Sequence, residues 1–128
     1  MKRMLLDTHV FLWWLADDPA LGKRAKKEIA RGANQVLVSA VFLREIAIKR
    51  ALGKLRAPDD LADAVQKELF SGLPVSLHHA RQIDRLPLLH RDPFDRMLVA
   101  QARCEELIVV TADEVLARYG VECLKAGG

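Results

Sequence analysis

Leu107-Ile108-Val109-Val110-Thr111-Ala112-Asp113 runs through consecutive apolar residues and closes on a threonine and an acid. An unbroken apolar run bounded by polar residues is the pattern of a strand buried on both faces, as in a parallel sheet covered by helices. Upstream, Asp92-Pro93 opens a helix predicted to reach about Glu106. Downstream, a short helix from Glu114 leads to a last strand over Val121 to Leu124.

The rest of the chain repeats this alternation. Arg3 to Asp7 and Gln35 to Ser39 read as buried strands, and Pro74 to Leu77 as a short one. Helices are predicted over His9 to Ala16, Leu21 to Arg31 with Gly32 as its stop, Val41 to Leu52 with Gly53 as its stop, Asp59 to Phe70, and His78 to Arg85. Strands separated by helices imply an α/β fold, with a mainly parallel sheet between two helical layers. In such sheets, sites form beyond the carboxyl ends of the strands, where strand order reverses.

Composition sets the outer limits. The 128 residues suit one domain, 1–128, with a single core. A hydrophobic fraction of 51% beside 29% charged residues is normal for a water-soluble domain. No apolar run approaches the roughly 18 residues of a membrane span, and the Met1 to Asp7 segment is not expected to be a secretion signal. Cys104 and Cys123 share no metal-ligand spacing and read as reduced thiols of a cytoplasmic protein. The net charge of +3 and pI near 9.1 are compatible with a nucleic-acid partner without requiring one. The basic residues concentrate in two groups, Lys23, Arg24, Lys26, Lys27 and Arg31, then Arg44, Lys49, Arg50, Lys54 and Arg56. Solvated helix faces account for most such groups.

The chemistry lies in the acids. Asp7, followed by Thr8, ends the first strand, and Asp113 follows Thr111 at the end of the Leu107 strand. Glu45 falls on a helical stripe with Val41, Ile48 and Leu52, so its carboxylate borders an apolar face. An ion pair with Lys49, four residues on, is the structural alternative to a catalytic role. Asp92 is well placed to cap the helix that Pro93 begins. Asp95 suits the positive end of that helix, and it shares a stripe with Val99 and Ala102. Taken as a set, these carboxylates would repel one another without a cation. An all-oxygen set suits Mg²⁺ rather than zinc. His9, His78, His79 and His90 share no ligand spacing and read as surface or partly buried residues, with His9 the nearest to an acid. A carboxylate-bound metal beside basic helices points to phosphodiester hydrolysis. In that reading Asp7 and Asp95 are the main ligands, Glu45 and Asp113 complete the pocket, and Asp92 assists or only caps.

These segments resemble the PIN-domain ribonuclease toxins of the VapC type, from bacterial type II toxin–antitoxin systems. The resemblance rests on Leu5-Leu6-Asp7-Thr8-His9, on Val38-Ser39 through Glu45-Ile46, on Asp92-Pro93-Phe94-Asp95 through Ala102, and on Val110-Thr111-Ala112-Asp113. It implies a PIN-like three-layer α/β/α sandwich and an Mg²⁺- or Mn²⁺-dependent endoribonuclease. Asp7, Glu45, Asp95 and Asp113 match the family's four acidic positions, with Thr111 in the Thr-x-Asp motif and Asp92 as an extra acid. It also implies a protein antitoxin that inserts a peptide into the site, and a homodimer. Arg44 departs from the tryptophan common before the second acid in this branch, which bears on local packing or RNA contact. Trp13 and Trp14 read as core or partner-interface residues. Three other classes compete. A non-catalytic module would keep the fold without the activity. A phosphoryl-acceptor domain would need an acidic pair near its start and a late lysine. A haloacid-dehalogenase-like phosphatase would need an acid where His9 stands.

Overall fold

The apolar runs form the five strands of one sheet in the computed structural model, which describes residues 1–89 and 92–127. They are β1 (Arg3–Leu6), β2 (Gln35–Ser39), β3 (Ser71–Leu73), β4 (Ile108–Thr111) and β5 (Cys123–Lys125), in the order β3-β2-β1-β4-β5. Every neighbouring pair is parallel. In register, Leu5 stands opposite Leu37 and Val109.

Successive side chains of a strand point to opposite faces, so each apolar strand feeds two cores. Met4, Leu6, Val36, Val38 and Val110 enter one core, where α1 (Thr8–Ala16), α2 (Lys23–Ala30) and α4 (Leu61–Lys67) contribute Val10, Phe11, Ala25, Ile29, Leu61 and Val65. Leu5, Leu37 and Val109 enter the other, with Leu98, Val99 and Ala102 of α6 (Pro93–Glu105) and with Leu116 and Tyr119 of a 3₁₀ helix, Glu114–Tyr119. The helix α3 (Ala40–Ala51) serves both cores, placing Ile46 in the first and Phe42 in the second. The remaining helix, α5 (Leu77–Ile83), packs on α6. Two-sided burial is what unbroken rather than alternating apolar strands require. Among the described residues, no helix is long and apolar enough to cross a membrane.

Strand order reverses at β1. The chain moves outward through β2 and β3, then returns to the opposite side of β1 for β4 and β5. The carboxyl ends of β1 and β4 therefore diverge into different helices and leave a crevice between them.

Several boundaries differ from the sequence reading, among them the last strand, which is Cys123–Lys125 rather than 121–124. The third strand is Ser71–Leu73 rather than 74–77, because Pro74 has no N–H to extend a ladder. The helix before it ends at Lys67 rather than Phe70. Leu69 takes a left-handed conformation (φ 61°), and Phe70 N–H closes the turn onto Val65 O at 3.1 Å. The second helix begins at Lys23 and ends at Ala30, with Arg31 extended, so its end does not depend on a left-handed Gly32. Gly53, by contrast, does adopt the left-handed geometry (φ 70°) that ends a helix at glycine. The first helix starts at Thr8, one residue early, because Phe11 N–H already bonds to Asp7 O at 3.0 Å.

Candidate active site

Asp7 is the first residue beyond β1, and its N–H extends the ladder to Val110 O at 3.0 Å. Its side chain occupies the cap position of α1 but makes no capping hydrogen bond. The carboxylate instead accepts the Thr111 hydroxyl on Oδ2 at 2.7 Å, and the same Thr111 oxygen accepts Asp113 N–H at 3.0 Å. Asp7 is only 8% exposed. Burial pushes its carboxyl above the ordinary range, the Thr111 bond and His9 pull against that, and nearby Glu45 adds to it.

Glu45 is 5% exposed, yet the stripe predicted to bury it does not. Ile48 and Leu52 on that stripe are 40% and 63% exposed, and the buried residues of α3 are Phe42, Glu45 and Ile46. The helix packs into both cores through Ile46 and Phe42, so the Phe42–Ile46 row faces inward and Glu45 comes with it. Its two oxygens have separate partners. Thr8 Oγ1 donates to Oε1 at 2.7 Å and Lys49 Nζ to Oε2 at 2.9 Å. The Lys49 ammonium is held above its usual range chiefly by Glu45, with the fields of Asp92 and Asp95 adding to it and burial opposing it.

Asp92 caps α6, its Oδ1 accepting the N–H groups of Phe94 at 2.8 Å and Asp95 at 3.3 Å. Asp113 caps the 3₁₀ helix by accepting Val115 N–H at 2.9 Å. Capping does not remove either from the crevice. Asp7, Glu45, Asp92, Asp95 and Asp113 all line one cavity of about 350 Å³, together with Thr8. Thr111 stands behind Asp7 rather than on the wall. Three further wall residues carry chemistry that the sequence reading assigned to other roles or left open: Lys49, His9 and Trp13. The Glu45–Lys49 spacing was the available signal for the first. The other two follow from their position just beyond Asp7 on α1, where His9 is exposed and its ring lies 6.2 Å from that of Trp13.

The arrangement fits a hard divalent cation. Its acidic donors are all oxygen, from four elements converging on one cavity, and the Lys49 ammonium already sits in their joint field. Among the described residues, no three acids, histidines or cysteines stand close enough together to form a finished chelate. Mg²⁺ asks for less than that, commonly taking one or two carboxylates and completing its shell with water and substrate phosphate.

Other residues singled out in the sequence fall elsewhere. His79 is fully buried, not a surface residue: it closes a capping box with Ser76 and its Nε2 lies 3.2 Å from Glu105 Oε1. His78 is exposed, and His90 lies outside the described residues. Trp14 donates to Glu68 Oε2 at 3.1 Å and packs against Phe70. Cys104 and Cys123 are partly buried thiols with no disulfide, and burial raises both.

Comparison with known proteins agrees with this architecture. A family model described as PIN domain matches residues 4–122. Three solved structures with the same fold are VapBC2 from Rickettsia felis bound to a DNA fragment from its promoter, FitAcB from Neisseria gonorrhoeae, and DNA-bound VapBC from Salmonella typhimurium. The first has a TM-score of 0.68 at 15% identity, covering 96% of this chain and 98% of the other. The second has a TM-score of 0.66 at 20% identity, with 96% and 97% covered. The third has a TM-score of 0.66 at 20% identity, with 98% of each chain covered. A comparison with curated protein sequences gives no match.

Proposed function

Because the chain belongs to the PIN-domain family, we propose that it is a metal-dependent endoribonuclease, the toxin partner of a VapC-type toxin–antitoxin pair. The observation that carries the reading is the convergence of Asp7, Glu45, Asp92, Asp95 and Asp113 on one cavity at the carboxyl end of the sheet. The likeness to solved toxin–antitoxin complexes supports the pairing with a protein antitoxin. The same reading makes residues 1–128 one nuclease domain, working in the cytoplasm as a homodimer.

Asp7 and Asp95 are the proposed ligands of Mg²⁺ or Mn²⁺, with Glu45 and Asp113 completing the set directly or through water. A bound ion of this kind would supply Lewis-acid polarisation of the phosphoryl oxygen and a more acidic water. The chain's own groups do the positioning. Thr111 fixes the Asp7 carboxylate through its 2.7 Å bond, and Thr8 does the same for Glu45. Asp92 holds the first turn of α6, and thereby Asp95, in place. Lys49 offsets part of the acidic field that an incoming phosphodiester meets.

The test is incubation of the purified chain, stripped of any antitoxin, with total RNA and Mg²⁺ or Mn²⁺, beside EDTA and Asp7→Asn controls. Discrete cleavage lost in both controls is the expected result. Full activity in Asp7→Asn would end the proposal. The competing reading, a catalytically silent PIN-like module, draws on the Glu45–Lys49 pair, in which a lysine already neutralises one candidate ligand. Mn²⁺ titration separates the two, since a silenced pocket would not take up the ion.

A further inference from the structure

Backbone hydrogen bonds at the carboxyl end of the sheet set three segments side by side. Ala126 N–H donates to Thr111 O at 2.9 Å, and Gly22 N–H donates to Ala126 O at 2.7 Å. The start of α2 thus stands beside the end of β5, which stands beside the end of β4, where Thr111 holds Asp7. At a strand spacing of about 4.8 Å, the α2 start lies on the order of 10 Å from the Thr111 backbone.

The surface follows the same path. The carboxylate cavity reaches Ala112 and Asp113. The next hollow shares those two residues and extends to Lys125. A third hollow, of about 620 Å³, shares Lys125 and is bordered by Lys23, Arg24 and Lys26. Each hollow thus shares wall residues with the next, from the acidic cavity to the basic one. Lys26 is committed to Asp17 at 3.0 Å, whereas Lys23, Arg24 and Lys125 are exposed and make no ion pair among the described residues.

A lysine on an edge strand also discourages edge pairing, and a basic helix face can be merely solvated. Neither reason calls for α2 and β5 to border the same hollow, or for that hollow to adjoin one that shares Ala112 and Asp113 with the acidic cavity. A polyanion crossing a carboxylate cavity is repelled there, and cations further along its path compensate.

We propose that the basic hollow is a phosphate-backbone site for single-stranded RNA, holding the strand a few nucleotides from the bond to be cut. Lys23, Arg24 and Lys125 neutralise phosphates in it. The inference rests on the ribonuclease reading and adds where the substrate lies. Contacts of this type carry affinity rather than sequence choice.

The test compares the whole chain, stripped of antitoxin, with a variant carrying Lys23→Ala, Arg24→Ala and Lys125→Ala, and with Lys125→Glu alone. Far-UV circular dichroism and Tm verify folding, which exposed positions seldom disturb. The probe is a labelled 12-nucleotide RNA of mixed sequence, bound in EDTA so that nothing is cut. Kd is expected to weaken about tenfold or more in the triple variant, in the same direction for Lys125→Glu, and the log–log salt slope to become shallower by about 2. Mn²⁺ uptake by the triple variant is expected to equal that of the wild type. An unchanged Kd and slope would overturn the site, as would tighter binding of duplex DNA or of an acidic peptide than of RNA. If that happens while the wild type still cuts RNA in Mn²⁺, the nuclease reading survives and this inference alone falls. Binding lost in the variant, with no cleavage by the wild type, retains the RNA site and removes the nuclease. A wild type that neither binds nor cuts RNA overturns both.

Discussion

Thr111 and Asp7, 104 positions apart, share a 2.7 Å hydrogen bond across the β1–β4 pair, with Thr111 donating to Oδ2. The bond is one of few favourable contacts for a carboxylate whose burial disfavours its charge.

That imbalance has a sign. The folded-state pKa of Asp7 is raised, so the folded protein binds this proton more tightly than the unfolded chain does. The cost of the ionised form is absent below the unfolded pKa, near 3.8, and grows as pH rises towards the folded value. In metal-free buffer at pH 7, Asp7→Asn is therefore expected to raise Tm, by about 4 °C for each kcal/mol released. The gain should vanish below pH 4. Thermal melts of both proteins across pH 3–8 measure it, and a lower Tm for Asp7→Asn at pH 7 would contradict the account.

Removing the Thr111 hydroxyl tests the same pair from the other side. In Thr111→Val, Asp7 loses the strongest influence holding its pKa down, so the acid limb of the activity profile should move to higher pH. A profile that keeps its shape and only loses height would assign Thr111 to packing.

Glu45 and Lys49 form a pair with one buried and one half-exposed member, side-chain exposures 7% and 41%. Among the described residues, Lys49→Met leaves the Glu45 carboxylate with the Thr8 hydroxyl as its hydrogen-bond partner, at a cost of about 1 kcal/mol after allowance for screening at the exposed partner. Urea unfolding should show the loss in EDTA and its partial recovery in Mn²⁺. Because the Lys49 pKa is raised, its contribution is fully present below the unfolded value of 10.5 and is lost only as pH climbs through the folded value. Stability in the wild type should therefore show no Lys49 step between pH 6 and 9.

Asp92 and Asp95 separate capping from chemistry. Asparagine caps as well as aspartate, so Asp92→Asn is expected to unfold within about 0.5 kcal/mol of the wild type and to lose activity about tenfold. Asp92→Ala should cost about 1 kcal/mol in addition. Asp95→Asn, which removes a proposed ligand, should cut activity about 100-fold or more while changing stability by no more than about 1 kcal/mol. Equal activity losses for Asp92→Asn and Asp95→Asn would place Asp92 among the ligands.

His79 belongs to the fold alone. His79→Ala deletes a capping interaction and opens space beneath α5, which should cost about 2 kcal/mol in urea unfolding. The specific activity of the folded fraction should not change, and a change in KM would tie α5 to substrate binding.

Much of this protein is legible from residue order because local physics fixes it. Unbroken apolar runs at Met4 to Leu6, Val36 to Val38 and Val109 to Val110 can only be buried on both faces, and that demands helices above and below. Asp92-Pro93 and Gly53 mark helix ends through φ restrictions that hold in any context. The acids at strand ends could be named for the same reason, since the end of a parallel strand is a fixed place in the architecture. Residue order alone did not settle which face of α3 turns inward. Helical periodicity predicted the Val41–Ile48–Leu52 stripe, but docking against two cores selected Phe42 and Ile46, and Glu45 was buried by a different row. Nor did it show that Lys49 enters the acidic cavity, that His79 is buried, or that α2 and β5 share a basic hollow. Each of these depends on segments tens of residues apart in sequence coming into contact. Local propensity and periodicity carry no information about such contacts, and the packing of helices on the β3-β2-β1-β4-β5 sheet supplied it.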